Sequence, residues 1–416
     1  MFNSIPPALR HRDFRLLWLG LFVSTSGSMM QTAAISWHIY DITNLPFALS
    51  FIGLTRVIPI FIFSPISGLA ADRFDRRKVI LVTQTCMLIT ATILGIVAYS
   101  GSKSALPVYF LAAIAAGFGV FDAPARQAMV PSLVSREDLP NAFSVNSIMF
   151  QTASVIGPAM AGIVIGRVGL HWAYWFNAVS FLTVIVALLA MKPRLQTREE
   201  KEKRPEISVA AAVEGFKFVR REPLILSSML LDFFATFFSS ATVLLPIYAK
   251  DILKVGAEGY GWLYAADAAG AAAAAITMAF MPRIQRQGQT LIIAVFIYGV
   301  ATIWFGLSTN FISAFLALAL TGVADAISVV IRNTIRQLAT PDHLRGRMVS
   351  VNMIFFQGGP QLGNIEAGLV AQWFGAPFSV ISGGVGCVIA VVWVARKWKT
   401  LWNYGNEMEA KVVAAD

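Results

Sequence analysis

VNSIMFQTASVIGPAMAGIVIGRVG, residues 145–169, aligns without a gap on VNMIFFQGGPQLGNIEAGLVAQWFG, residues 351–375. The two stretches share Val145/Val351, Asn146/Asn352, Phe150/Phe356, Gln151/Gln357, Gly157/Gly363, Gly162/Gly368 and Gly169/Gly375. The turns before them also correspond: SREDL (135–139) and TPDHL (340–344) each read as a helix N-cap followed by an acid. Working outward, apolar runs of about 20 residues fall at 14–37, 47–71, 77–100, 106–130, 141–165, 171–192, 223–249, 259–281, 290–307, 311–337, 348–373 and 376–398. The matched segments are spans 5 and 11. Six spans is an even offset, so both copies cross in the same direction. The chain reads as a parallel duplication of two six-span halves, an all-α membrane protein.

Composition agrees. Of 416 residues, 56% are hydrophobic and 13% charged, about half the charged share of a soluble domain; mean hydropathy is +0.66. The net charge of +10 suggests nucleic acid until its placement is examined. With the N-terminus inside, 28 of the 33 Lys and Arg fall on inner segments and four on outer loops, and Arg56 alone lies mid-span. This asymmetry places both termini in the cytoplasm and makes nucleic-acid binding unnecessary. No cleavable signal peptide is evident. Cys86 and Cys387 lie in spans 3 and 12 and frame neither a disulfide nor a metal site. No cofactor is expected.

The expected domains are 1–192, 193–222, 223–400 and a cytoplasmic tail, 401–416. TREEKEKRPE, at the start of the linker, is too charged to pack. ISVAAAVEGFKFVRR has helical apolar spacing and a basic end, which fits a helix on the membrane surface and equally a linker helix without lipid contact.

GLAADRFDRRK, residues 68–78, joins spans 2 and 3. It resembles the A motif of the major facilitator superfamily, with Gly68, Asp72, Arg73, Arg76, Arg77 and Lys78 on the expected places. Asp75 stands where that family most often has Gly, so this loop does not need positive φ there. Span 5 is similar, more weakly, to the superfamily's antiporter motif through Ser144, Ala153, Gly157, Pro158, Ala161 and Gly162. Small residues at these spacings let helices approach closely, and Pro158 bends the helix. The chain as a whole, from LRHRDFRLLWLG to HLRGRMVSVN, resembles the enterobactin-exporter-like, transmembrane secretion effector branch. That resemblance implies a multi-pass protein of the bacterial inner membrane, a monomer, that takes a small-molecule substrate and protons as coupling ion.

Charged residues at bilayer depth are costly and are commonly paired or functional. Asp122 lies about 24 Å along span 4, near the cytoplasmic face. By resemblance, Asp72, Arg76 and Asp122, with Arg73, form a latch that closes the inner gate; the alternative is a local Asp122–Arg126 bridge. Arg56 and Asp232 lie about 14 Å deep and Asp267 about 12 Å, near the level where such transporters bind substrate. An acid in a low-dielectric cavity alternates between protonated and charged forms near neutral pH. Asp232 is the first candidate for proton coupling and Asp267 the second. Asp325, Glu366 and Gln31 complete the cavity candidates, although for Gln31 a hydrogen bond between helices is the preferred reading. The plainer reading has Arg56 neutralising one of these acids, or the acids only bridging helices.

These features point to a proton-coupled exporter of an amphipathic molecule, siderophore or drug-like, working by alternating access. An importer or uniporter of the same fold is the alternative. The chain has no P-loop, HExxH or Ser/His/Asp signature, and no added soluble domain that would suit a sensor.

Overall fold

In lipid a backbone must satisfy its own hydrogen bonds, and an apolar run long enough to cross does so as a helix. The computed structural model describes residues 6–191, 209–238, 241–281, 284–341 and 344–405, and these contain helices and no strand. The first half carries α1 (Arg12–Thr43), α2 (Pro46–Arg73), α3 (Arg76–Tyr99), α4 (Leu106–Leu133), α5 (Leu139–Arg167) and α6 (Leu170–Ala190). After a linker helix, Val209–Arg221, come α7 (Pro223–Phe238), α8 (Gly256–Phe280), α9 (Gln287–Leu307), α10 (Phe311–Ala339), α11 (Arg345–Phe374) and α12 (Ala376–Lys397).

Among the described residues, ten helices are long and apolar enough to cross a membrane. The other two expected spans correspond to α1 and α11, of 32 and 30 residues. Both are more polar: α1 carries Ser24, Ser26, Ser28, Gln31 and His38, and α11 carries Gln361, Asn364 and Glu366. Expected span 7 is less regular than a single rod. Beyond α7 it runs through a 3₁₀ turn, Ala241–Leu244, and a π turn, Tyr248–Ile252.

Local chemistry sets the helix ends. The Asp75 side chain accepts from the backbone N–H of Arg77 at 2.9 Å, and Asp75 has φ −59°. It caps α3, which is why glycine is not required at that point of the loop. Gly169 and Gly375, matched in the repeat, have φ of 117° and 87° and lead into α6 and α12. A side chain there would strain the backbone. Ser135 acts differently from a helix cap: α5 begins at Leu139, and the Ser135 hydroxyl accepts from the Asp138 N–H at 3.3 Å in the preceding turn.

The chain divides into two compact units, Met1–Arg204 with Val255–Ala265, and Pro205–Lys254 with Ala266–Asp416. In unit 1, Phe14, Leu17 and Leu21 of α1 pack with Ile80, Met129, Met149 and Leu188. In unit 2, Leu231, Leu291, Val295, Ile331, Val391 and Leu401 form the core, together with Cys387. Cys387 is buried, and neither cysteine is in a disulfide. Leu401 is fully buried in that core, so the chain just past α12 belongs to the packed unit. Residues 193–208 and 406–416 of the expected linker and tail lie outside the described residues.

Candidate functional site

Helix α10 carries Asp325, Arg332 and Arg336, at spacings of seven and four residues, which stack them on one face. Opposite them on α7 stands Asp232, 1% exposed. Its Oδ1 lies 2.6 Å from Nη1 of Arg332 and its Oδ2 lies 3.5 Å from Nη2 of Arg336. Arg332 also reaches Asp325 Oδ1 with Nη2, at 3.3 Å. Arg336 donates to the Ser228 hydroxyl and carbonyl on α7, at 3.1 and 3.0 Å, and to Asn352 Oδ1 on α11 at 2.6 Å. The arginine side chains are 2% and 3% exposed, whereas Asp325 keeps 46% of its side chain accessible.

Asp267 of α8 joins the same cluster. Its Oδ1 accepts from the Thr321 hydroxyl at 3.0 Å. Thr321 lies one turn before Asp325, and the two carboxylates are near enough for their charges to interact. The approach of α8 to α10 depends on Gly322: a Cβ there would lie 1.8 Å from the Asp267 carbonyl oxygen. The five ionisable side chains amount to three carboxylates and two guanidiniums. Fully ionised, the cluster holds one unbalanced negative charge.

In unit 1 the buried acid is Asp122, 0% exposed. Its Oδ1 accepts from the Thr83 hydroxyl at 2.8 Å and from Gln84 Nε2 at 3.0 Å, both on α3. Its Oδ2 lies 2.5 Å from Nε of Arg126, one turn on, whose side chain is 28% exposed. Arg76 donates to the Ala128 carbonyl of α4 at 2.7 Å. The local Asp122–Arg126 bridge is therefore present, and Arg76 ties the start of α3 to α4. The side chains of Gly68, Asp72 and Arg73 lie outside the described residues.

The remaining candidates divide clearly. Gln31 is buried and its Oε1 accepts from Asn177 Nδ2 at 2.8 Å, an α1–α6 hydrogen bond. Arg56 donates to the Thr32 hydroxyl at 3.0 Å. Glu366 is half-buried and has no ion-pair partner among the described residues. A Cβ at Gly157 would meet the Ser26 carbonyl of α1 at 2.6 Å, and one at Gly162 would meet Gly261 Cα of α8 at 2.7 Å. Gly157 and Gly162 thus let α5 touch its neighbours backbone to backbone. Pro158 lies inside the unbroken α5.

One sequence reading is corrected. Arg332 and Arg336 count with the basic inner turn when charges are sorted by position, leaving Arg56 alone mid-span; in the structure both are buried against α7. Two signals were available. One was the shared face of residues 325, 332 and 336. The other was a second repeat match, GVFDA at 119–123 against GVADA at 322–326, which pairs Asp122 with Asp325.

A sequence model of the transmembrane secretion effector family matches residues 4–410. The enterobactin exporter EntS of Salmonella typhi is 30% identical over 341 residues, 81% of this chain and 80% of that protein. EntS of Escherichia coli O1:K1 / APEC is 29% identical over the same shares. Among solved structures, a POT family transporter in complex with 5-aminolevulinic acid has a TM-score of 0.73 at 14% identity, covering 96% of this chain and 98% of its own. A bacterial homologue of the iron transporter ferroportin has a TM-score of 0.69 at 19% identity, over 93% and 98%. The solved structures bear on the fold alone.

Proposed function

The chain belongs to the transmembrane secretion effector family of the major facilitator superfamily, and on that premise we propose that it is a proton-coupled exporter. Its relatives are transporters rather than enzymes, and it is a multi-pass membrane protein of that class. The proposed cargo is a small amphipathic molecule of the siderophore or drug-like kind. The protein would act as a monomer by alternating access, in a bacterial inner membrane with both termini cytoplasmic.

The observation that supports coupling is the charge inventory of unit 2. Three acids stand in one cluster with two arginines, so a single proton brings it to neutrality, and an unbalanced charge at this depth is costly. Asp232 is held between two guanidiniums and serves as their counter-ion. Asp325 is accessible and Asp267 accepts from the Thr321 hydroxyl, so the exchangeable proton is assigned to this pair rather than to Asp232. Which of the two carries it is a property of the coupled pair. In unit 1, Asp122 and Arg76 order the ends of α3 and α4. The A motif beside them, with Gly68, Asp72 and Arg73, takes the role of the inner gate.

Inverted vesicles with an acid interior test the coupling. Siderophores, dyes and antibiotics offered outside should accumulate, and collapse of the gradient should release them. Asp267→Asn and Asp325→Asn should abolish the response to the gradient while leaving downhill exchange. No accumulation of any cargo, with no effect of collapse, overturns proton antiport and leaves an importer or uniporter.

A further inference from the structure

The linker helix buries Val219, 1% exposed, against Ile225, Met229, Met348 and Val351. Phe216, Lys217, Arg220 and Arg221 are all exposed, at adjoining positions of the remaining surface. Glu214 lies at the edge of that surface, seven residues before Arg221 and so on its side, and pairs with Arg347 of α11. Phe216 and Arg220 are one turn apart and share a side. An exposed aromatic beside three cations, with the nearby Glu214 carboxylate taken up by Arg347, suits an anionic interface.

The height of that face is constrained by the chain. Only Glu222 separates the linker helix from α7, and the helical bonding passes through it: Glu222 N–H donates to the Phe218 carbonyl at 3.1 Å, and Leu226 N–H donates to the Glu222 carbonyl at 3.0 Å. Arg220 and Arg221 therefore lie within about 5 Å of the first residue of a membrane span, at 1.5 Å per residue. The headgroup layer on each side of the hydrocarbon core is about 5–7 Å thick. Arg220 and Arg221 are thus held at phosphate level, and Lys217, about 9 Å from Pro223 along the helix, reaches the same level where the helix lies along the surface.

We propose that the Phe216–Lys217–Arg220–Arg221 face docks on anionic phospholipid headgroups. The docked helix braces α11, because Arg347 and Asn352 lie little more than one turn apart on that helix and Asn352 accepts from Arg336. Lipid charge is in this way connected to the arginine–carboxylate cluster by side-chain contacts within unit 2.

The test is amide hydrogen exchange on the full chain in nanodiscs of phosphatidylcholine, with and without phosphatidylglycerol. Residues 214–221 should exchange more slowly when phosphatidylglycerol is present. The protection should be lost at 1 M salt, where the Debye length falls to about 3 Å, and in the triple variant K217Q/R220Q/R221Q. These positions are exposed, so unchanged exchange in the transmembrane helices verifies that the variant is folded. Equal exchange in the two lipids overturns the proposal. Equal protection by inorganic phosphate in phosphatidylcholine discs also overturns it, since the face would then be a free-anion site.

Discussion

The two units each bury an aspartate beside arginine, yet the two pairs differ in where the cation can go. Asp122 and Asp232 are 0% and 1% exposed. The partner of Asp122, Arg126, keeps 28% of its side chain accessible, while Arg332 and Arg336 keep 2% and 3%. Opening the unit 1 pair lets a guanidinium reach water and leaves Asp122 with its Thr83 and Gln84 donors. Opening the unit 2 pair leaves Arg336 without a carboxylate and Arg332 with only its longer bond to Asp325, both still buried. The duplication supplied a common scaffold, and the halves have diverged in the freedom of their charges. A site that opens cheaply suits a moving contact; a site that cannot suits a fixed counter-ion for a proton-carrying neighbour.

The largest effect should come from Asp232→Ala, which leaves Arg332 and Arg336 without their bridging acid. Removing one partner of a buried pair costs about 3–5 kcal/mol, so thermal unfolding in detergent should shift down strongly. Adding Arg332→Met should recover part of the loss, and the double-mutant cycle should show coupling of about 1 kcal/mol or more. Equal losses for Asp232→Ala and Asp122→Ala would remove the distinction between the units.

Asp122→Asn should cost less, about 1–3 kcal/mol. Its amide oxygen keeps the Thr83 and Gln84 bonds, and Arg126 is free to turn outward. Accessibility labelling from the two sides of the membrane adds the functional half of the comparison. An unchanged inward/outward balance in this variant would assign Asp122 to structure alone.

Within unit 2, Asp325→Asn should separate stability from coupling. Its carboxylate is half-accessible and its bond to Arg332 is long, at 3.3 Å. The change also removes the cluster's unbalanced charge, so the stability loss should be small, about 0–1 kcal/mol, while gradient-driven transport should fall away. A stability loss matching that of Asp232→Ala would place Asp325 in the locked part of the network.

The fold was largely legible because lipid imposes a length rule. The expected 77–100 and 171–192 appear as α3, Arg76–Tyr99, and α6, Leu170–Ala190. The irregular end of span 7 was not legible, since apolar composition does not distinguish an α turn from 3₁₀ or π geometry. The site was legible in part. Asp232, Asp267 and Asp325 are visible in the sequence as acids within apolar runs, and the structure brings them into one cluster. Their arginine partners were hidden because Arg332 and Arg336 sit in the last turns of α10. There, position alone does not tell a residue facing water from one turned inward. Gln31 illustrates the plainer outcome: of its two readings, cavity lining or a bond between helices, the structure shows the helix-to-helix hydrogen bond with Asn177.

The smallest effect belongs to a half-buried pair in unit 1, and it is read through its pH dependence. His11 Nε2 lies 2.8 Å from Asp138 Oδ2, and Ser135 donates to the same oxygen at 2.8 Å. These hydrogen bonds, His11 first, hold the Asp138 carboxyl below its ordinary range. A depressed folded-state pKa adds stability above the unfolded value, near 3.9, and that stability is lost as pH falls through the folded value. His11→Ala should therefore be slightly less stable than the parent at neutral pH, and the gap should narrow on acidification through the carboxylate range. Thermal scans of both proteins across that range measure it. A gap that stays constant would mean that His11 contributes by packing the Pro7–Arg10 turn against α5, where the Ala8 N–H already bonds Asn141 at 3.0 Å, and that its bond to Asp138 carries no stability of its own.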